Sequence, residues 1–175
     1  MSTLRTPVGS LDHKKGKPSA TVTLVEYGDY QCSHCAEAFP LVKKLMKEFP
    51  NELLFVFRNF PLQESHPEAL GAAQAAEAAG IQNKFWEMHD LLYEQQSQLN
   101  KSNFIYFAES LNLDIDQFER DYNSDNVLSQ IESDIESGIR SGVNGTPTFF
   151  INDQRLDTYD ETYESLADAV RNAES

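Results

Sequence analysis

The first clear pattern begins at residue 21. Residues 21–27 (TVTLVEY) form a run of β-branched and apolar side chains closed by Gly28-Asp29, which predicts a buried strand. Glu26 is the anomaly within it. After Cys32 the period changes from two to between three and four: Ala36, Phe39, Val42, Leu45, Met46 and Phe49 share one face, while Lys43, Lys44, Lys47 and Glu48 take the other. This predicts an amphipathic helix, with Pro40 placed to kink it. Residues 53–58 (LLFVFR) read as a second strand, and a strand-helix-strand order of this length implies a right-handed parallel crossover.

From about residue 64 to 142 the pattern stays helical, in blocks at 69–79, 84–95, 103–111, 115–122 and 127–141. Strand character returns at residues 148–151 (TFFI). Asn152-Asp153 supplies a turn, Arg155-Leu156 can begin a short paired strand, and a last helix is predicted over 161–172. The fold class is therefore α/β, with a helical insertion between a βαβ half and a C-terminal ββα half. Residues 1–20 are polar and carry Pro7, Gly9, Gly16 and Pro18, so they read as an N-terminal arm on a single domain spanning 21–175.

Length agrees with one domain, since 175 residues bury one sizeable core. Charge narrows the partners: 14 Lys and Arg against 28 Asp and Glu give a net charge of −14, which repels nucleic acid and anionic membrane surfaces. Residues 1–17 contain no apolar stretch of secretory length, and no later run approaches about 20 apolar residues. The expectation is a soluble, cytoplasmic protein without stable membrane association.

The two cysteines are the candidate chemistry. Cys32-Ser33-His34-Cys35 lies where a strand ends and a helix begins, so Cys32 meets the positive end of the helix dipole and its free N–H groups. A lowered pKa makes Cys32 the attacking thiolate, and Cys35, one turn on, can resolve a mixed disulfide. His34 can tune Cys32 by charge or hydrogen bond, favouring the reduced form. Glu26, six residues before Cys32 in a buried strand, is costly to ionise and can relay protons for Cys35; the alternative is a carboxylate paired with a lysine at the strand end. Pro147 opens the late strand, a place where a cis peptide is tolerated.

Together these residues resemble the DsbA-like branch of the thioredoxin superfamily. The likeness rests on Glu26, Cys32-Ser33-His34-Cys35, the helical insertion and Thr146-Pro147 before a strand. Residues 55–62, His66-Pro67 and residues 84–89 are also similar to segments of bacterial members, so the likeness covers about 21–172. It implies a thiol-disulfide oxidoreductase with a redox-active Cys32–Cys35 disulfide. It also implies a cis Pro147 against the dithiol, Thr146 offering backbone hydrogen bonds to an extended substrate, and Glu26 as buried proton carrier. The chain departs from strongly oxidising members at Ser33, where they carry proline.

The partners implied are thiol- or disulfide-containing proteins and a redox recycling partner; no bound cofactor is expected, because the disulfide carries the two electrons. Zinc is not expected either, since it takes four ligands, there is no second Cys pair and His13, His66 and His89 are scattered. A structural disulfide closing so short a loop would remove little entropy. His66 and His89 read as surface or capping residues, Trp86 with Phe85 and Met88 as core, and the acidic tract 114–136 as a solvated face. A second function of another class stays open: a peptide-binding or chaperone module that uses the Pro147 groove without turnover.

Overall fold

The computed structural model describes residues 2–174. Its centre is a five-stranded sheet in the order β1-β3-β2-β4-β5, with β1 at His13–Gly16, β2 at Val22–Gly28, β3 at Leu53–Asn59, β4 at Thr148–Ile151 and β5 at Gln154–Arg155. Strand β2 pairs parallel with β3 and antiparallel with β4, so Glu26 sits mid-sheet between Phe57 and Phe149. Both strands are covered on two faces, and their near-continuous apolar sequence follows from that.

Successive side chains leave opposite faces of a strand. Leu24, Phe55, Phe57 and Phe149 pack in the larger core with α1 (Ser33–Glu48), α3 (Phe85–Glu94) and α7 (Tyr163–Glu174). Val25, Tyr27, Val56 and Phe150 fill a second core with Leu4, Phe60 and Val143. The helix α6 (Asp125–Arg140) closes that face, and a Cβ at Gly138 would come within 2.7 Å of the Phe60 ring, so only glycine lets the helix lie so near. The helices α2 (Ala69–Ile81), α4 (Lys101–Ser110) and α5 (Ile115–Tyr122) complete the insertion, whose alanine-rich α2 packs on almost every side.

The α/β class and the inserted helices stand as expected. The N-terminal arm does not: β1 pairs antiparallel with β3, Leu4 is buried, and Leu4 N–H donates to the Asp153 carbonyl. The segment His-Lys-Lys-Gly escapes pattern reading because an edge strand is solvated along one side and keeps charged residues there. The hairpin between β4 and β5 turns at Asn152 and Asp153, both at positive φ (44° and 72°) as a tight primed turn requires, and it pairs Gln154 and Arg155 rather than Arg155 and Leu156. Asp134, in the acidic tract, is another correction. It points inward and accepts hydrogen bonds from the backbone and side-chain amides of Asn59 (2.9 and 3.0 Å).

Candidate active site

Strand β2 ends at Gly28, and Cys32 is the extended N-cap residue (φ −76°, ψ 124°) that starts α1. No side chain caps that helix end, so the first N–H groups are left to the Cys32 sulfur. Both cysteines are free thiols and buried, Cys35 with 0% of its surface exposed.

The Cys32 thiol is pushed down to about 5, chiefly by hydrogen bonding from the Cys35 thiol; Thr146 and the backbone amides of Cys35 and His34 add to this against the opposing effect of burial. Charge-assisted bonds of this kind favour the thiolate. Cys35 is pushed the other way, far above a free thiol, by burial first, then by its bond to Cys32 and by the Glu26 and Cys32 charges. One thiolate and one retained proton result at neutral pH.

Thr146 closes the site from the loop just before β4, 114 residues beyond Cys32. Its carbonyl oxygen lies 3.5 Å from Cys32 Sγ, which donates to it only while protonated, and the Thr146–Pro147 peptide is cis. The Thr146 hydroxyl is buried and without a partner, so it is free to turn toward the sulfur once that sulfur is charged.

Glu26, 3% exposed, is raised to about 8 by burial and secondarily by the Cys32 charge. Its Oε2 has no partner, and no lysine forms an ion pair with it among the described residues, so the lysine-paired alternative is not what holds this carboxyl. Because its folded value lies above the ordinary carboxyl range, its share of stability is whole at acid pH. That share declines as pH rises toward about 8 and levels off beyond it. Glu26→Gln is therefore expected to raise stability at pH 8 by about 1–3 kcal/mol, leave it unchanged near pH 4, and flatten the profile between. Urea titrations at the two pH values check this, and equal effects at both would refute it.

His34 is placed differently from the expectation. Its ring is 58% exposed and its Nδ1 lies 2.8 Å from Glu161 Oε1, so its contribution to the thiolate comes through its backbone amide rather than its imidazole. His34, Glu37 and Glu161 bring potential metal-ligand atoms within 4.8 Å of one another, all on exposed side chains.

Several residues at the site carry no motif. Asp29 is buried and accepts from the N–H of Gln31 (2.7 Å), the N–H of Leu62 (2.9 Å) and the His66 ring (2.8 Å), pinning the turn into α1. Its place at the end of a buried strand was the one available signal. Gln96, with none, donates to the carbonyls of Tyr30 and Cys32 (2.9 Å each). His89, expected as a surface or capping residue, is buried among Phe57, Tyr93 and Tyr30, shares a hydrogen bond with the Tyr30 hydroxyl at 2.9 Å and is held neutral by burial. Phe85 and Met88 are core, and Trp86 packs against it, as expected.

A protein-family model described as thioredoxin matches residues 10–172. Among curated proteins, the Na(+)/H(+) antiporter NhaA 1 of Salinispora arenicola is 43% identical over 144 residues, 82% of this chain and 22% of that protein. The antiporter NhaA of Herminiimonas arsenicoxydans is 37% identical over 163 residues, 92% of this chain and 26% of that protein. The chain thus spans only about a quarter of the length of the curated relatives it matches. Among solved structures, a thioredoxin-like oxidoreductase from Silicibacter pomeroyi superposes with a TM-score of 0.83 at 29% identity, covering 93% of this chain and 92% of that one. BdbD from Bacillus subtilis gives 0.79 at 23% identity, covering 91% of each chain, which is a likeness of fold.

Proposed function

Because this chain belongs to the thioredoxin family, we propose that it exchanges disulfides with protein or small thiol substrates in the DsbA-like manner through Cys32-Ser33-His34-Cys35. The observation that carries the reading is the split between the two sulfurs, one held as thiolate near neutral pH and the other held protonated one helical turn away.

In the donor direction a substrate thiolate attacks Cys32 Sγ of the disulfide. The S–S bond breaks, and its electron pair leaves on Cys35, which takes the Glu26 proton. A second substrate thiolate then attacks the mixed disulfide and releases Cys32 as its stabilised thiolate; the substrate has lost two electrons and the dithiol has gained them. Run backwards, Cys32 attacks a substrate disulfide and Cys35 resolves it after returning its proton to Glu26. Stabilising the Cys32 thiolate stabilises the reduced form, so the donor direction is favoured. Thr146 and Pro147 lie where an extended substrate passes the sulfur. The cytoplasmic placement expected from the sequence is a separate part of the proposal, since a reducing cytoplasm would keep the dithiol reduced and oppose the donor direction; recovery of the native protein outside the soluble cytoplasmic fraction would overturn that placement alone.

Equilibration in glutathione buffers, with thiolate absorbance followed against pH, tests the reading. The expected results are a potential well above the value of about −270 mV typical of thioredoxin and a Cys32 midpoint near 5. Failure of Cys32 and Cys35 to form a disulfide would overturn it. Thr146→Val, which removes the unpartnered hydroxyl, is expected to raise the Cys32 midpoint by about one pH unit, equivalent to one charge-assisted hydrogen bond. An unmoved midpoint would exclude that role for the hydroxyl.

A further inference from the structure

Between α1, the β1–β3 edge and α3 the molecule holds a cavity of about 380 Å³, within the range of small-ligand pockets. Its walls are Phe39, Val42, Met46, Phe55, Trp86 and Tyr93. The buried side chains of Glu26 and His89 also line it, beside these apolar and aromatic walls.

The mouth has the opposite character. Lys15, Lys43 and Lys47 stand there with one carboxylate, Asp90, which pairs with Lys43 at 3.3 Å. The Lys15 ammonium lies 5.7 Å from the Trp86 ring centre, and neither Lys15 nor Lys47 forms an ion pair among the described residues. On a chain of net charge −14 this is a local reversal of sign set at the opening of an apolar cavity. Cations at the rim above aromatic walls select a ligand that is anionic at one end and apolar along its body.

We propose that this cavity binds a small amphipathic carboxylate, its acyl body against Met46, Phe55 and Trp86 and its head group held by Lys15 and Lys47. The cavity adjoins the sulfur chemistry at Glu26, which lines it, but ligand binding there does not rest on disulfide exchange.

Trp86 is the chain's single tryptophan and lines the cavity, so its emission reports occupancy directly. The reduced protein is titrated with decanoate below its micellar concentration, with decylamine of the same chain length as the cationic control. The expected result is a saturable change in Trp86 emission with decanoate and at least about tenfold weaker binding of decylamine. The Lys15→Gln/Lys47→Gln variant should bind decanoate about tenfold more weakly, while Lys44→Gln, outside the cavity, should match the parent. Both sets of changes are at exposed positions and leave the core intact. Equal affinity for decanoate and decylamine, or parental affinity in the double lysine variant, would show non-specific adsorption and overturn the proposal. Binding to phosphatidylglycerol vesicles without binding of free decanoate would assign the face to a membrane surface and overturn it as well.

Discussion

Replacing Cys32 by serine is expected to reduce catalysed disulfide exchange to the uncatalysed background, and replacing Cys35 by serine is expected to trap a mixed disulfide on Cys32. The first follows because Cys32 is the sulfur whose thiolate is stabilised by the start of α1, by Cys35 and by Thr146. The second follows because Cys35 is the group that would resolve the intermediate, and a serine hydroxyl does not displace a thiol from a disulfide. Both substitutions keep the volume of the site nearly unchanged, so folding should survive; each kcal/mol lost would lower Tm by about 2–4 °C. Turnover of a dithiol peptide substrate and mass spectrometry of the trapped adduct check the pair. Retained turnover in Cys32→Ser would refute the exchange reading. A parent without turnover, with peptide binding undiminished in Cys32→Ala, would favour the peptide-binding module.

Asp12→Ala is expected to cost about 3–5 kcal/mol of stability, although Asp12 lies in the segment that the sequence presents as a surface arm. Its partner explains the size. Arg58 points from β3 into the second core, 2% exposed, and its guanidinium holds Asp12 in two bonds, Nε to Oδ1 at 2.8 Å and Nη2 to Oδ2 at 2.9 Å. Nη1 donates to the Tyr27 hydroxyl at 2.8 Å and Nη2 to the Pro7 carbonyl at 3.2 Å, but these neutral acceptors do not balance its charge. Without Asp12 a buried cation loses its counter-ion, the costly way to break such a pair; replacing Arg58 as well with methionine should restore much of the loss. A lower urea midpoint at unchanged slope checks this, and a loss below about 1 kcal/mol would show that the N-terminal segment is dispensable.

These two outcomes differ in how far the sequence foretells them. Cys32 and Cys35 announce themselves through spacing alone, and the strand, helix and strand around them through periodicity, because both are local properties of a few consecutive residues. Glu26 is legible for a related reason: a lone carboxylate in a run of apolar residues is a charge placed where burial is certain. Arg58 in β3 breaks its apolar run in the same manner, yet which residue balances it was invisible, since Asp12 is 46 positions away in a polar stretch.

What the sequence by itself determined is the α/β order, the inserted helices, the paired thiols and the buried acid. Only the tertiary structure decided that residues 13–16 form an edge strand, that Asp29 and Gln96 fasten the turn at Cys32, and that the His34 ring meets Glu161. It also gathered Trp86, Phe55 and three lysines around one cavity. The physical reason is the same in each case: helices and strands follow from hydrophobic period, whereas the partner of a polar side chain is set by sheet register and helix packing, which join residues tens to over a hundred positions apart.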